Sequence, residues 1–189
     1  VAACACVSAG VGIKRIDRII GVTKAYTTRV GEGPFPTELH DATGDHLRNR
    51  GGEFGATTGR PRRCGWFDAV VVKHAVRLNG LTDIALTKLD VLGGLEKIKI
   101  CTAYKYRGTS ISEYPAGLPV QQGCEPVYEE LSGWDEDIRL AKDFSDLPSN
   151  AQRYVRLIAQ LVGVEICMIS LGEERSQTML LRNPFHRIH

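Results

Sequence analysis

The chain has 189 residues, 43% of them apolar and 24% charged, with a formal net charge of +2. This is the makeup of an ordinary globular protein able to bury a core, and the small charge, spread along the chain, argues against a nucleic-acid or polyanion binder. Six cysteines (Cys4, Cys6, Cys64, Cys101, Cys124, Cys167) form no C-x-x-C pair, which points to reduced thiols in a cytoplasmic protein and not to a zinc ribbon or a disulfide framework.

Val1 to Ile13 is small and apolar but lacks a basic region before it and is too short to span a bilayer, so it reads as neither signal peptide nor membrane anchor. It reads as a buried glycine-alanine segment opening an incomplete chain. From Lys14 to Thr27, Ile16, Ile19, Ile20, Val22 and Ala25 keep a helical spacing, and Tyr26 to Val30 then turns β-like. Gly31 to Pro36 is a stiff loop ending at Thr37, an expected N-cap for a short polar helix reaching about Arg50.

Gly51 to Gly65 holds five glycines with Arg60, Arg62 and Arg63, a loop composition. Trp66 onward shows a helical pattern through Phe67, Val70, Val71, His74, Ala75 and Leu78, closed at Asn79-Gly80. Asp83 to Leu86 predicts a buried strand that delivers Thr87-Lys88-Leu89-Asp90 at its end. Ile98 to Tyr106 and Glu125 to Leu131 predict two strands, so that about 96–131 forms a small β-rich appendage. Ser149 is the expected cap of a helix presenting Tyr154, Leu157, Ile158 and Leu161, ended by Gly163; Val164 to Ile169 follows as a strand with Ser170-Leu171-Gly172 at its exit. This alternation predicts an α/β fold with ligand loops beyond the carboxyl ends of the strands.

Two loops carry chemistry. Gly55-Ala56-Thr57-Thr58-Gly59-Arg60-Pro61-Arg62-Arg63 offers backbone N–H groups, two hydroxyls and three guanidiniums just before the expected helix, all suited to an anion; the alternative is a solvated basic loop. It lacks the Gly-Lys-Ser/Thr ending of a Walker A loop. Thr87-Lys88-Leu89-Asp90 resembles the Asn-Lys-x-Asp tetrad of GTP-binding proteins. A carboxylate there accepts from both the ring N–H and the exocyclic amine of guanine, whereas adenine presents an acceptor at the first position.

With Val22 to Leu39 before them, Gly52-Glu53-Phe54-Gly55 through Trp66, Leu86 to Leu92, and the closing Met179 to Phe185, these loops closely resemble adenylosuccinate synthetase. The resemblance covers nearly the whole chain, in order, and corresponds to the carboxy-terminal half of that enzyme. It implies part of a three-layer, P-loop-type GTP-binding α/β sheet. It implies an activity that joins L-aspartate to IMP at the expense of GTP, giving adenylosuccinate, GDP and phosphate through IMP phosphorylated at O6.

By the same resemblance, Ala56, Thr57, Thr58, Gly59, Arg60, Pro61 and Arg62 form the loop closing over aspartate. Thr57, Thr58 and Arg60 hold its carboxylates, Arg60 also reaches the IMP ribose, and Val30 touches IMP through its backbone. Arg62 contacts GTP, Lys88, Leu89 and Asp90 frame guanine, and Ser170, Leu171 and Gly172 cover its other edge. The family's general base, a magnesium-ligating Asp, and its general-acid His match no residue of this chain, so the Mg2+ ligands are expected in the other half and no catalytic or metal-binding residue is assigned. His40, His46, His74, His186 and His189 read as surface or core histidines. A cytoplasmic homodimer is implied, with neither nucleic acid nor membrane as partner.

Departures from the family pattern are Val1 or Ala2 where a Thr would reach the IMP phosphate, Ile13 for Pro, and Glu173-Glu174 for Pro-Asp. Two other readings remain open at this point: a truncated, non-catalytic GTP- or anion-binding module, and an α/β domain whose loops bind nothing.

Overall fold

The computed structural model describes residue 2 and residues 4–184; His186 and His189 lie outside them. Helix α1 (Cys4–Ala9) buries only Cys6, and Val7 is 83% exposed, so the opening segment is not the buried one its composition suggested. The helix expected over Lys14 to Thr27 does not form. A 3-10 turn at Ile13–Arg15 is followed by strand β1 (Ile20–Lys24), whose Ile20, Val22 and Thr23 are β-branched. Pairing with a neighbouring parallel strand, which a local periodicity cannot register, outweighs the helical spacing here.

Strand β2 (Thr27–Arg29) follows within the expected β-like stretch. Helix α2 (Ala42–Arg50) is capped by Asp41, which accepts from the N–H groups of Thr43 and Gly44, and not by Thr37. Thr37 is instead fully buried, its carbonyl accepting from the Trp66 N–H at 3.1 Å. The expected loop ends in β3 (Arg63–Gly65), antiparallel to β2, and β4 (Phe67–Asp68) precedes α3 (Ala69–Asn79), so that helix starts three residues later than its apolar pattern. Gly80 closes α3 in the left-handed conformation at φ 61°, which a glycine adopts without strain.

Strand β5 (Asp83–Thr87) leads into a 3-10 turn at Leu89–Leu92. Strands β6 (Lys97–Tyr106), β7 (Thr109–Ile111) and β8 (Glu125–Ser132), with the short α4 (Leu118–Gln122), occupy the expected β-rich segment. Helix α5 (Ser149–Val162) is entered through Pro148 in place of a Ser149 cap, and ends at Gly163. Strands β9 (Glu165–Ser170) and β10 (Thr178–Leu180) complete the described chain.

The main sheet runs β1-β5-β9-β10, the first three strands parallel and β10 antiparallel to β9. A second sheet runs β4-β6-β7 with β8 paired to β6. The α/β class expected from the sequence is therefore found. One core joins both sheets: Ile84 and Leu86 of β5, Ile166 and Ile169 of β9, Ile98 and Ile100 of β6, and Leu131 of β8 lie with Tyr154, Ile158 and Val162 of α5. Each such aliphatic side chain contributes roughly 1.5–3 kcal/mol on burial. No helix among the described residues is long and apolar enough to cross a membrane.

Asp83, at the amino end of β5, has a fully buried side chain that ties three chain segments together. It accepts from Arg18 Nη1 at 2.8 Å, from Thr82 Oγ1 at 2.8 Å, and from Arg182 beyond β10. Burial pushes its carboxyl up, but the hydrogen bonds from Arg182, Thr82 and Arg18 outweigh that and hold it below the usual carboxylate range. Asp83→Asn should lower unfolding stability by about 2–3 kcal/mol, because it leaves two guanidiniums facing a neutral group. Urea denaturation checks this, and a midpoint unchanged from the wild type would show that the clamp adds no net stability.

Candidate functional site

The polar residues collect where the parallel strands end. Register pairs Lys24 of β1 with Thr87 of β5, and Leu86 with Ile169 of β9, so Lys24, Lys88 and Ser170 follow one another along the carboxyl rim of the sheet. Crevices at this rim are where open α/β sheets hold ligands. Thr87 Oγ1 donates to the Thr23 carbonyl at 3.1 Å and fixes the rim between β1 and β5.

Immediately after β5 the backbone turns through Lys88 at φ 58°, a left-handed conformation that costs a non-glycine residue roughly 1–2 kcal/mol. The turn aims the Lys88 ammonium at the Gly51 carbonyl and, at 3.4 Å, at Glu53 Oε1. Leu89 is fully buried and anchors the turn. Asp90 Oδ1 is buried and has no hydrogen-bond donor among the described residues. Burial pushes the Asp90 carboxyl up, against the pull of its own backbone N–H and the charges of Arg50, Arg139 and Lys88. Helix α2 braces the turn from behind, with His46 Nε2 at 3.0 Å from the Val91 carbonyl and Arg50 Nη1 donating to the Gly93 carbonyl at 2.6 Å. A Cβ at Gly93 would stand 3.2 Å from the Arg50 guanidinium, 3.3 Å from the Asp90 carbonyl and 3.5 Å from Trp134 Nε1, so glycine lets these groups approach the end of the turn closely.

On the far side of the rim, Ser170 Oγ donates to the Gly172 carbonyl at 2.9 Å, and buried Leu171 donates its N–H to the Gln177 carbonyl at 2.9 Å. Gly172 packs directly on the Gln177 side chain, which a Cβ would overlap. The three residues thus form a fixed edge at the exit of β9.

The arginine loop is closed at its base and open at its tip. Gly55 N–H donates to the Arg60 carbonyl at 2.9 Å, Gly59 N–H to the Gly55 carbonyl at 2.8 Å, and a β-bridge joins Phe54 to Pro61. Residues Ala56, Thr57, Thr58, Gly59 and Arg60 are all exposed, as is Pro61. The helix expected directly behind this loop is not there: β3 and β4 intervene, and the first N–H groups of α3, on Val70 and Val71, already donate to the Asp68 carboxylate at 3.1 and 3.2 Å. Any attraction for an anion comes from the loop's own N–H groups and guanidiniums and owes nothing to a helix end.

The three arginines have separate settings. Arg63 is structural: it donates to Glu38 at 2.7 and 2.5 Å and to the carbonyls of Gly31 and Gly33, pinning the Gly-Pro loop. Arg62 turns inward to Glu53 Oε2 at 2.8 Å, and Arg60 stays at the exposed tip. Val30, 80% exposed, follows β2 where Arg29 pairs with Arg63, beside the base of the same loop.

Glu53 was not singled out from the sequence, yet it is the centre of the site. Its side chain is fully buried and accepts from Tyr26 Oη at 2.6 Å, Lys24 Nζ at 2.7 and 2.8 Å to its two oxygens, and Arg62 Nη1. Burial pushes the carboxyl up, but the hydrogen bonds from Lys24, Tyr26 and Arg62 with the Lys24 charge bring it down to about 2. The available signal was a lone acidic residue in an arginine-rich glycine stretch: such a group either points to water or gathers the cations around it.

The fold and the loops define an α/β protein whose functional groups are displayed at the carboxyl ends of three parallel strands. A model of the family described as adenylosuccinate synthetase matches residues 1–179. The adenylosuccinate synthetase of Moorella thermoacetica is 58% identical over 185 residues, 98% of this chain and 43% of the relative, and that of Pelotomaculum thermopropionicum is 60% identical over 180 residues, 95% and 42%. The solved structure of fully ligated adenylosuccinate synthetase from Plasmodium falciparum superposes with a TM-score of 0.90 at 40% identity, covering 94% of this chain and 43% of that one. A cyanophage S-2L succinoaminodeoxyadenylate synthetase shares the fold at a TM-score of 0.50 and 15% identity. The chain belongs to the adenylosuccinate synthetase family, and it spans less than half the length of the relatives it matches.

The lowered Glu53 carboxyl makes the site sensitive to acid. A folded-state value of about 2 against an ordinary 4.5 contributes stability that is fully present above about pH 4.5 and lost as pH falls toward 2. Acidification through that window should cost about 2–3 kcal/mol from this group. Urea midpoints measured across it should fall less steeply in Glu53→Gln than in the wild type; parallel curves would exclude Glu53 as the source.

Proposed function

We propose that this chain supplies the guanine-reading and aspartate-handling part of an adenylosuccinate synthetase, which converts IMP, L-aspartate and GTP to adenylosuccinate, GDP and phosphate. The observation that carries the reading is the unpaired, buried carboxylate oxygen of Asp90 in the turn after β5, with Lys88 two residues before it. A buried acceptor without a donor is costly unless a ligand supplies one, and the N–H pair of guanine is such a supply. Lys88 and Leu89 frame the base, and Ser170, Leu171 and Gly172 close its other edge.

In this reading the exposed tip from Ala56 to Arg60 folds over the dicarboxylate, with Thr57, Thr58 and Arg60 as its donors. Arg62 faces the GTP phosphates from the loop base, and Val30 meets IMP through its backbone. Bringing fixed cations to a dicarboxylate beside nucleotide phosphates offsets charge that would otherwise keep the reactants apart. These residues bind and orient; the proton transfers fall to an Asp and a His of the family motifs that no residue of this chain matches. Bound in the complete enzyme, magnesium would supply positive charge against the phosphates. The described residues contain no group of three or more His, Cys, Asp or Glu side chains able to hold a metal ion. Assembly as a cytoplasmic homodimer belongs to the same reading.

Asp90→Asn should weaken GDP binding at least about tenfold, the loss of charged hydrogen bonds worth roughly 1.5–3 kcal/mol, while ADP binding changes little. Titration followed by Trp66 and Trp134 fluorescence measures both, and equal responses of the wild type to GDP and ADP would defeat the role of Asp90. Incubated alone with IMP, GTP, aspartate and magnesium, the 189-residue chain should form no adenylosuccinate; turnover above the enzyme-free rate would place a general base within it.

A further inference from the structure

We propose that Glu53 is a positioning residue that links the guanine turn to the aspartate loop, so that a guanine nucleotide bound at Lys88 and Asp90 orders residues 55–60. This rests on the guanine reading above and adds to it a route between the two halves of the site.

The geometry is that of a shared anchor. Glu53 Oε2 accepts from Arg62 Nη1 at 2.8 Å, and Glu53 Oε1 faces Lys88 Nζ at 3.4 Å. Lys24 Nζ lies against both oxygens at 2.7 and 2.8 Å and holds the carboxylate through its two ends. The backbone repeats the link: Arg62 N–H donates to the Glu53 carbonyl at 2.8 Å, and Lys88 Nζ reaches the Gly51 carbonyl. Segment 51–53 is therefore held by the guanine turn on one side and by the loop base on the other.

The Glu53 side chain has no exposed surface, whereas Lys24, Arg62 and Lys88 keep 25%, 32% and 38% of theirs. The carboxylate is fixed and the cations are its movable parts. Three cations on one anion leave about two positive charges unbalanced, a surplus a nucleotide phosphate can take up. Drawing Lys88 to a base removes one of the cations that compete for the fixed carboxylate, so Glu53 holds Arg62 more tightly, and with it the closed base of the loop at Phe54 and Pro61. Only the tip, Ala56 to Arg60, is then left to order.

Amide hydrogen exchange on the 189-residue chain, with saturating GDP or ADP, tests the link. GDP should slow exchange in peptides covering 55–60 at least about threefold in the wild type, and ADP should not. Glu53→Gln, confirmed folded by circular dichroism, should still prefer GDP but lose the slowing. Glu53→Asp keeps the charge and is one methylene too short to span from Lys88 to Arg62; it should show less than about half the wild-type effect. A purely structural Glu53 would lower the melting temperature of these variants and leave the GDP effect intact, and that result would overturn the proposal. GDP preferred over ADP without slowing at 55–60 in the wild type would overturn the link and leave the guanine reading standing. Equal responses to the two nucleotides would overturn the guanine reading and the link with it.

Discussion

The parallel register of β5 between β1 and β9 is the constraint on which the site depends. Parallel ladders run their strands in one direction, so every loop that follows a strand emerges on the same rim. Lys24, Lys88 and Ser170 are distant in sequence, and this pairing sets them along one rim. A slip of one residue would turn Ile84 and Leu86 out of the core and carry Thr87 away from the Thr23 carbonyl, so hydrophobic burial and site geometry fix the same register.

Two fully buried carboxylates stand at the two ends of this sheet, and their different partners give them different work. Asp83, at the amino end, is satisfied by Arg18, Arg182 and Thr82, and it joins three chain segments at the entrances of the sheet strands. Glu53, at the carboxyl end, gathers Lys24, Arg62, Tyr26 and the more distant Lys88. The first group is saturated and acts as a clamp. The second gathers three cations against the two at Asp83, a larger positive surplus that suits an anion on the reading proposed above. Asp90, in contrast, keeps an oxygen with no donor among the described residues, the acceptor that the proposed reading leaves for a base.

Legibility in the sequence followed the range of the forces involved. The helix stops at Gly80 and Gly163 and the turn after β5 were readable because they rest on local chemistry: a left-handed glycine, or a polar tetrad after an apolar run. Ile20 to Lys24 was misread as helix because its state is decided by hydrogen bonds to Asp83 through Thr87, some sixty residues away. The helix placed directly behind the arginine loop failed for a related reason. Phe67 and Asp68 pair with Ile100 and Cys101 before α3 begins, and Asp68 then takes the N–H groups that were expected to face an anion.

By itself, the sequence determined the α/β alternation, the two polar loops and the family likeness, since each is carried by residues contiguous in the chain. What only the tertiary structure decided is how those loops are joined. Glu53 reads as one acid among glycines and arginines, and nothing local distinguishes it from a solvated side chain. Folding buries it completely, and a buried carboxylate must collect donors from whatever segments surround it. That requirement brings Lys24, Arg62 and Lys88 to one point and makes a single site of two separate motifs.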